Sequence, residues 1–365
     1  MPKPDIPLFT LALILVFLGV LLVYGASTNT AKRYFDDSDV FMMRQAIAAL
    51  IGVTVMVVMI FIPYTKVRDL TVPIVLGALV LLILVLIPGI GNVVNNARRW
   101  IPLPFLQIQP SEFAKLAIVI YLAAIMSKKH ELGLSRALRG FIPPLLIILC
   151  FAFLIYLEPD FSTAILLLAV GLTLLLVGGV PLGHIFGLVL SAIPFLLVLL
   201  FSRDYVRTRL FAHLDPLSDA ENMGYQVVQS LLSFQNGGLF GEGIGRGVQK
   251  MGALPEAHTD FILAAYAEEV GAVGVSFLLL LVFALVWRIF RVALRANDNF
   301  ARLFCFGIAM LISWQALINA GMITGLLPTT GLPFPFLSYG GSSLVVSCLA
   351  LGIVLNISRR GEVDI

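Results

Sequence analysis

Uninterrupted apolar runs recur along this chain, each near the roughly 17–25 residues that carry a helix across a hydrocarbon core. About ten can be traced: Leu8–Ala26, Gln45–Pro63, Leu70–Pro88, Ser111–Ser127, Phe141–Leu157, Phe161–Gly178, His184–Phe201, Phe261–Phe290, Leu303–Leu326 and Phe336–Ile357. Polar residues gather in the short connections and in one long connection, about residues 202–260. The runs lack the polar face that a soluble amphipathic element carries. Lipid offers the backbone no hydrogen-bond partners, so each run must satisfy its own N–H and C=O groups. The pattern predicts an all-α polytopic membrane protein of about ten transmembrane helices. It forms one integral membrane domain over residues 1–365, with a large extracytoplasmic loop between helices 7 and 8.

Charge sets the orientation. Lys3, Lys66, Arg68, Lys128, Lys129, Arg136, Arg139, Arg288, Arg291, Arg295, Arg302, Arg359 and Arg360 fall on one side of the predicted bundle, which the positive-inside bias makes cytoplasmic. On the other side Lys32, Arg33 and Arg44 are offset by Asp36, Asp37 and Asp39, with Arg98 and Arg99 beyond them. Both termini are therefore expected inside and the long loop outside. The first run is too long for a signal-peptide core, despite the small residues Gly25-Ala26-Ser27, and reads as a retained anchor. Only 12% of residues are charged and the net charge is +3, too small and scattered to suggest nucleic acid. Cys150, Cys305 and Cys348 lie inside spans without metal or redox spacing.

Against so few charges, four outer-side clusters stand out. In Arg98-Arg99-Trp100 two adjacent guanidiniums can fork onto phosphate while the indole anchors at headgroup depth, although contact with ordinary phospholipid explains them too. Pro110 starts a helix on which Glu112 and Lys115 share a face, either as a structural pair or as substrate contacts. Gln235–Gly245 holds five glycines from Gly237 onward and suits close folding around a ligand, or simple flexibility. Finally, Glu256-Ala257-His258-Thr259-Asp260 ends where an apolar segment begins. A carboxylate at that boundary can act as a base, but on composition alone an N-cap role is the stronger reading of Asp260. Glu268 and Glu269 need partners or a polar cavity, and Gln315 and Asn319 share a helix face that can line it or bond a neighbouring helix.

Taken together, Arg98-Arg99-Trp100-Ile101, Gln109-Pro110-Ser111-Glu112-Phe113-Ala114-Lys115, Leu254-Pro255-Glu256-Ala257-His258-Thr259-Asp260-Phe261 and Leu337-Ser338-Tyr339-Gly340-Gly341-Ser342-Ser343 resemble the signatures of the SEDS family (shape, elongation, division and sporulation), the FtsW, RodA and SpoVE proteins, with the FtsW branch closest. Asn95-Asn96 departs from the Gly common before that first motif. The resemblance implies a peptidoglycan glycosyltransferase of the bacterial cytoplasmic membrane. Such a protein polymerises lipid II by inverting transfer, releases undecaprenyl pyrophosphate, and works beside a class B penicillin-binding protein. It also implies that Asp260 is the catalytic carboxylate. Substrate contacts are expected from Arg98, Arg99, Trp100, Glu112, Lys115, His258, Gln315, Asn319 and Ser338. A divalent cation, Mg²⁺ or Mn²⁺, is expected to ride on the substrate's pyrophosphate rather than in a protein-built metal site. The alternative is a lipid II flippase, which needs ionisable groups through the bilayer depth rather than at its outer surface.

Overall fold

A computed structural model describes residues 3–94, 97–102, 107–131, 137–187, 190, 213 and 223–360. Helices dominate: α1 (Ile6–Phe35), α2 (Val40–Phe61), the short α3 (Tyr64–Asp69), α4 (Thr71–Leu86), α5 (Pro110–Glu131), α6 (Ala137–Leu157), α7 (Phe161–Val177), α8 (Met223–Gly237), α9 (Ile262–Arg295), α10 (Asn299–Ile323) and α11 (Gly341–Arg360). Among the described residues six helices are long and apolar enough to cross a membrane, and Thr71–Leu86, Phe141–Leu157 and Phe161–Val177 are shorter apolar helices. These nine match nine of the ten predicted runs. Most of the seventh, His184–Phe201, lies outside the described residues. So do Arg136 and the Asn95-Asn96 pair.

Helix α5 is the most enclosed span and packs against α4, α7 and α10. Small residues permit the closest approaches. At the α2–α11 interface a Cβ on Gly352 would lie 2.6 Å from the Met56 carbonyl oxygen, so only a hydrogen fits between the backbones. Around the outside, Phe17, Leu50, Val72, Phe153, Ile165 and Leu280 are exposed on different helices. Such a belt is stable only against lipid.

Four boundaries differ from the sequence reading. α1 continues to Phe35, well past Ala26, and closes with Asp36 in the left-handed region (φ 55°). The connection between α4 and α5 is a small antiparallel meander of β1 (Asn92–Val94), β2 (Ala97–Pro102) and β3 (Gln107–Ile108), pairing Asn92 with Trp100 and Ile101 with Ile108. The long loop contains α8. Lastly, the span expected from Phe336 begins at Gly341, because Phe336 (φ 64°) belongs to an irregular segment pressed against Gly19 of α1.

The break in α9 shapes the site. Gly271 adopts φ 69°, ψ −173°, dividing the helix into an outer segment, Ile262–Val270, and a spanning rod. A left-handed residue interrupts the hydrogen-bond ladder, which glycine tolerates without a Cβ clash. The orphaned groups are taken up by the Gly-rich run: Ala272 N–H donates to the Gly238 carbonyl (2.9 Å), while Glu242 and Gly243 N–H donate to the carbonyls of Glu268 (2.9 Å) and Glu269 (3.0 Å). The side chains of both glutamates are also spoken for. Glu268 accepts from Asn236 Nδ2 (3.2 Å) and the Gln249 N–H (2.9 Å), and Glu269 pairs with Lys250. The Gly-rich run is thus a splice, fixed backbone to backbone.

Candidate active site

Segments distant in sequence enclose a polar cavity of about 340 Å³ at the ends of α5, α7 and α11 and the start of α9. Arg99 and Trp100 come from β2, Gln109 and Glu112 from the start of α5, Asp160 and Thr163 from the start of α7, and Thr259 and Asp260 from the segment leading into α9. Arg44 of α2 and Ser342 and Ser343 of α11 complete the wall.

Local hydrogen bonding explains the convergence. Ser342 Oγ donates to the Gln107 carbonyl (2.6 Å) and accepts from the Gln109 N–H (3.1 Å), clasping α11 to the β3–α5 junction. Asp160 caps α7, accepting from Thr163 N (3.3 Å) and Oγ1 (2.9 Å). Asn319 Nδ2 donates to the carbonyls of Asp260 (2.8 Å) and Leu332 (2.7 Å), fixing the backbone under the candidate base. Beside it Gly331, at φ 75°, lets the chain pass so closely that a Cβ there would sit 3.4 Å from Asp260 Oδ2. The N-cap of α9 is Phe261, with no side-chain cap bond, so Asp260 does not serve as that cap.

Of the sequence candidates, Asp260, Arg99, Trp100 and Glu112 line the cavity. Lys115 lies beneath it, 3% exposed, paired with Glu112 (2.8 Å) and 3.4 Å from Gln315 Oε1. Gln315 Nε2 in turn donates to the Pro333 carbonyl (2.9 Å). Both Gln315 and Asn319 therefore hold the irregular segment after α10, and Gln315 also accepts from Lys115 of the neighbouring α5. Ser338 and His258 are also absent from the lining. Ser338 Oγ accepts from the Phe334 N–H (2.8 Å), and His258 is buried between Phe41 and Tyr339, with ring centroids 4.6 and 5.7 Å away. Burial lowers the imidazole's pKa, which nearby Glu256 partly opposes, so His258 is a neutral packing residue.

Arg98 and Arg99 do not fork together. Neighbouring strand residues face opposite ways: Arg98 Nη1 reaches the Leu86 carbonyl (3.5 Å), whereas Arg99 donates through Nε to the Glu158 carbonyl (3.2 Å) and through Nη2 to that of Pro159. The second cavity guanidinium is Arg44, which also stacks over Phe35 at 5.6 Å. Sequence reasoning treated Arg44 only as a loop charge. It also passed over Glu158 and Asp160. Glu158 is fully buried and, among the described residues, neither carboxyl oxygen has a hydrogen-bond partner; burial together with Asp160 pushes its pKa up to about 9 against the opposing pull of Arg99. It is neutral at pH 7.

Fold and site together define a polytopic membrane protein with a polar, cation-bearing cavity at one end of its bundle. The "Cell cycle protein" family model of FtsW, RodA and SpoVE matches residues 6–362, and the chain belongs to that family. It is 43% identical over 356 residues to "Probable peptidoglycan glycosyltransferase FtsW" of Geobacter metallireducens, covering 98% of this chain and 95% of that protein. It is 39% identical to "Stage V sporulation protein E" of Bacillus subtilis, covering 98% and 97%. Among solved structures, a chain described under "Structural coordination of polymerization and crosslinking by a peptidoglycan synthase complex" superposes with TM-score 0.80 at 31% identity over 99% of each chain. The rod shape determining protein RodA of Thermus thermophilus gives 0.72 at 30% identity, covering 99% of this chain and 98% of that one.

Proposed function

We propose that this chain polymerises lipid II into peptidoglycan glycan strands by inverting transfer with release of undecaprenyl pyrophosphate. The observation that carries the reading is one cavity in which a carboxylate, Asp260, shares a wall with two guanidiniums, Arg44 and Arg99. Glycan extension needs a base for the acceptor's 4-hydroxyl proton as that oxygen attacks the anomeric carbon of the donor, and it needs cations for the departing pyrophosphate. Asp260 takes the first role and Arg44 and Arg99 the second. Attack opposite the leaving group inverts the anomeric centre, and no covalent enzyme intermediate is required. Asn319, Gln315 and Ser338 act as positioning residues.

A divalent cation, Mg²⁺ or Mn²⁺, is carried in on the pyrophosphate, where it offsets negative charge on the leaving group. The carboxylates of Asp160 and Glu112 line the same cavity and suit a phosphate-borne ion, which takes few ligands from protein. The setting is the bacterial cytoplasmic membrane with both termini in the cytoplasm, and the cavity faces outward. The working partner is a class B penicillin-binding protein, which cross-links the strands. The likeness to a chain of a peptidoglycan synthase complex supports that partnership.

The test is polymerisation of labelled lipid II by the purified chain with its partner. Asp260→Asn should lower the rate by about 10²–10⁴, the usual cost of losing a general base, while folding and partner binding persist. Near-wild-type polymer from the folded variant would overturn the mechanism. Transbilayer movement of lipid II without polymer would favour a flippase. Orientation is checked separately: a cysteine at the exposed position Arg246 should label from outside, and one at Lys66 only after permeabilisation.

A further inference from the structure

A second cavity is larger than the one that holds Asp260. A crevice of about 630 Å³ opens between the outer half of α1 and the outer segment of α9. Leu18, Leu22, Gly25 and Asn29 lie on one face of α1, spaced at helical repeats, and Ile262, Ala265, Tyr266 and Glu269 lie on the facing side of α9. Lys250 joins the two walls, donating to the Gly25 carbonyl (3.1 Å) and pairing with Glu269. That cation and anion satisfy one another, so the crevice holds no uncompensated charge at its junction.

Gly25 has no packing reason to be glycine. A Cβ built there meets nothing within 4 Å, whereas at Gly19, two turns earlier, it would strike a carbonyl at 2.1 Å. Glycine inside a helix interior is destabilising relative to alanine. What its missing side chain provides is the open space of the crevice. The walls are graded: apolar at Leu18 and Leu22, then Tyr24, Thr28 and Asn29 towards the outer surface. One further turn along the same helix come Lys32 and Arg33, both exposed. Ile244 lies on the rim and is 84% exposed.

We propose that this crevice is a binding site for one phospholipid of the surrounding leaflet. Its acyl chain lies along Leu18, Leu22 and Ile262, and its phosphate sits at the level of Asn29, Lys32 and Arg33. An amphiphile matches the gradient from apolar wall to polar rim to cation, and the crevice is continuous with the lipid-facing surface. No residue lines both the crevice and the catalytic cavity. The occupant proposed is accordingly a structural lipid, held apart from the catalytic cavity. Asp260 and Ile262 are two residues apart, one on each cavity, so the lipid buttresses the segment that carries the candidate base.

Native mass spectrometry of the detergent-purified full chain, titrated with phosphatidylglycerol, tests the site. Wild type should retain one tightly held phospholipid. Gly25→Phe fills the crevice without backbone strain and should weaken that binding at least tenfold, while Gly25→Ala should leave it. Ile244→Asp, at an exposed position, places a charge on the tail's path and should weaken binding even if Gly25→Phe fails to fold. Unchanged retention in Ile244→Asp, or in folded Gly25→Phe, overturns the proposal. So does preferential retention of undecaprenyl phosphate over phosphatidylglycerol in an equimolar mixture, which would make the crevice a carrier-lipid site.

Discussion

The two ends of the bundle use polar residues in opposite ways. At the end where the first and last helices meet, Asp5, Asp298 and Asn356 are committed to other parts of the protein. Asp5 caps α1 at Leu8 (2.9 Å) and pairs with Arg288, Asp298 caps α10 at Ala301 (2.8 Å) and accepts from Tyr64 Oη, and Asn356 bridges Tyr64 N–H (2.9 Å) and the Ile60 carbonyl (2.7 Å). At the opposite end, among the described residues, neither Arg44 nor Arg99 forms an ion pair, and Arg99 leans on neutral carbonyls alone. The buried acid whose carbonyl it bonds, Glu158, stays protonated and adds no charge beside the guanidinium. Acids at the first end tie segments together, whereas at the second end two guanidiniums line a cavity with no ion pair among the described residues.

The contrast breaks most visibly if the cavity cations prove dispensable. Charge-assisted hydrogen bonds are worth about 1.5–3 kcal/mol each. Replacing both Arg44 and Arg99 by Gln should therefore cut kcat/KM for lipid II by roughly 10²–10⁴ while the melting temperature holds. Steady-state polymerisation and a thermal melt on the same preparation decide it. Asp298→Ala should do the reverse. It removes a cap, worth about 1 kcal/mol, and the acceptor of a tyrosine hydroxyl, so the melt should shift down while activity per folded molecule is retained.

Glu158→Gln gives a smaller and pH-dependent effect. Between about pH 4.5 and about 9 the folded protein keeps a proton that the unfolded chain has released. Wild-type stability should therefore fall with rising pH across that window. Glutamine releases no such proton, so the variant's advantage in melting temperature should grow from pH 5 to pH 8. A constant difference between the two melting curves would show that Glu158 is ionised in the fold.

The spans were legible because lipid leaves the backbone no alternative to long apolar helices. Asp260, Arg99, Trp100 and Glu112 were legible because charge and indole stood out in an apolar chain. Arg98 was misjudged through its local structure: read as plain connection, the segment gave no hint that strand alternation turns it away from its neighbour. Arg44 escaped because it begins an apolar helix and meets the cavity only after folding, across residues far apart in sequence. The break at Gly271 was invisible because the outer segment, Ile262–Val270, is nearly as apolar as the rod it adjoins. A lone glycine two residues after Glu268-Glu269 was the only local signal.

That break has a mechanical consequence. The nine residues from Ile262 to Val270 form a short arm, with Asp260 at its tip and Gly271 as its pivot. The splice straddles that pivot, bonding to Glu268 and Glu269 on the arm and to Ala272 and Val273 on the rod, so it braces the angle between the two. The tip cannot swing without breaking those backbone bonds or the Asn319 bond to the Asp260 carbonyl, so the loop sets where the carboxylate stands.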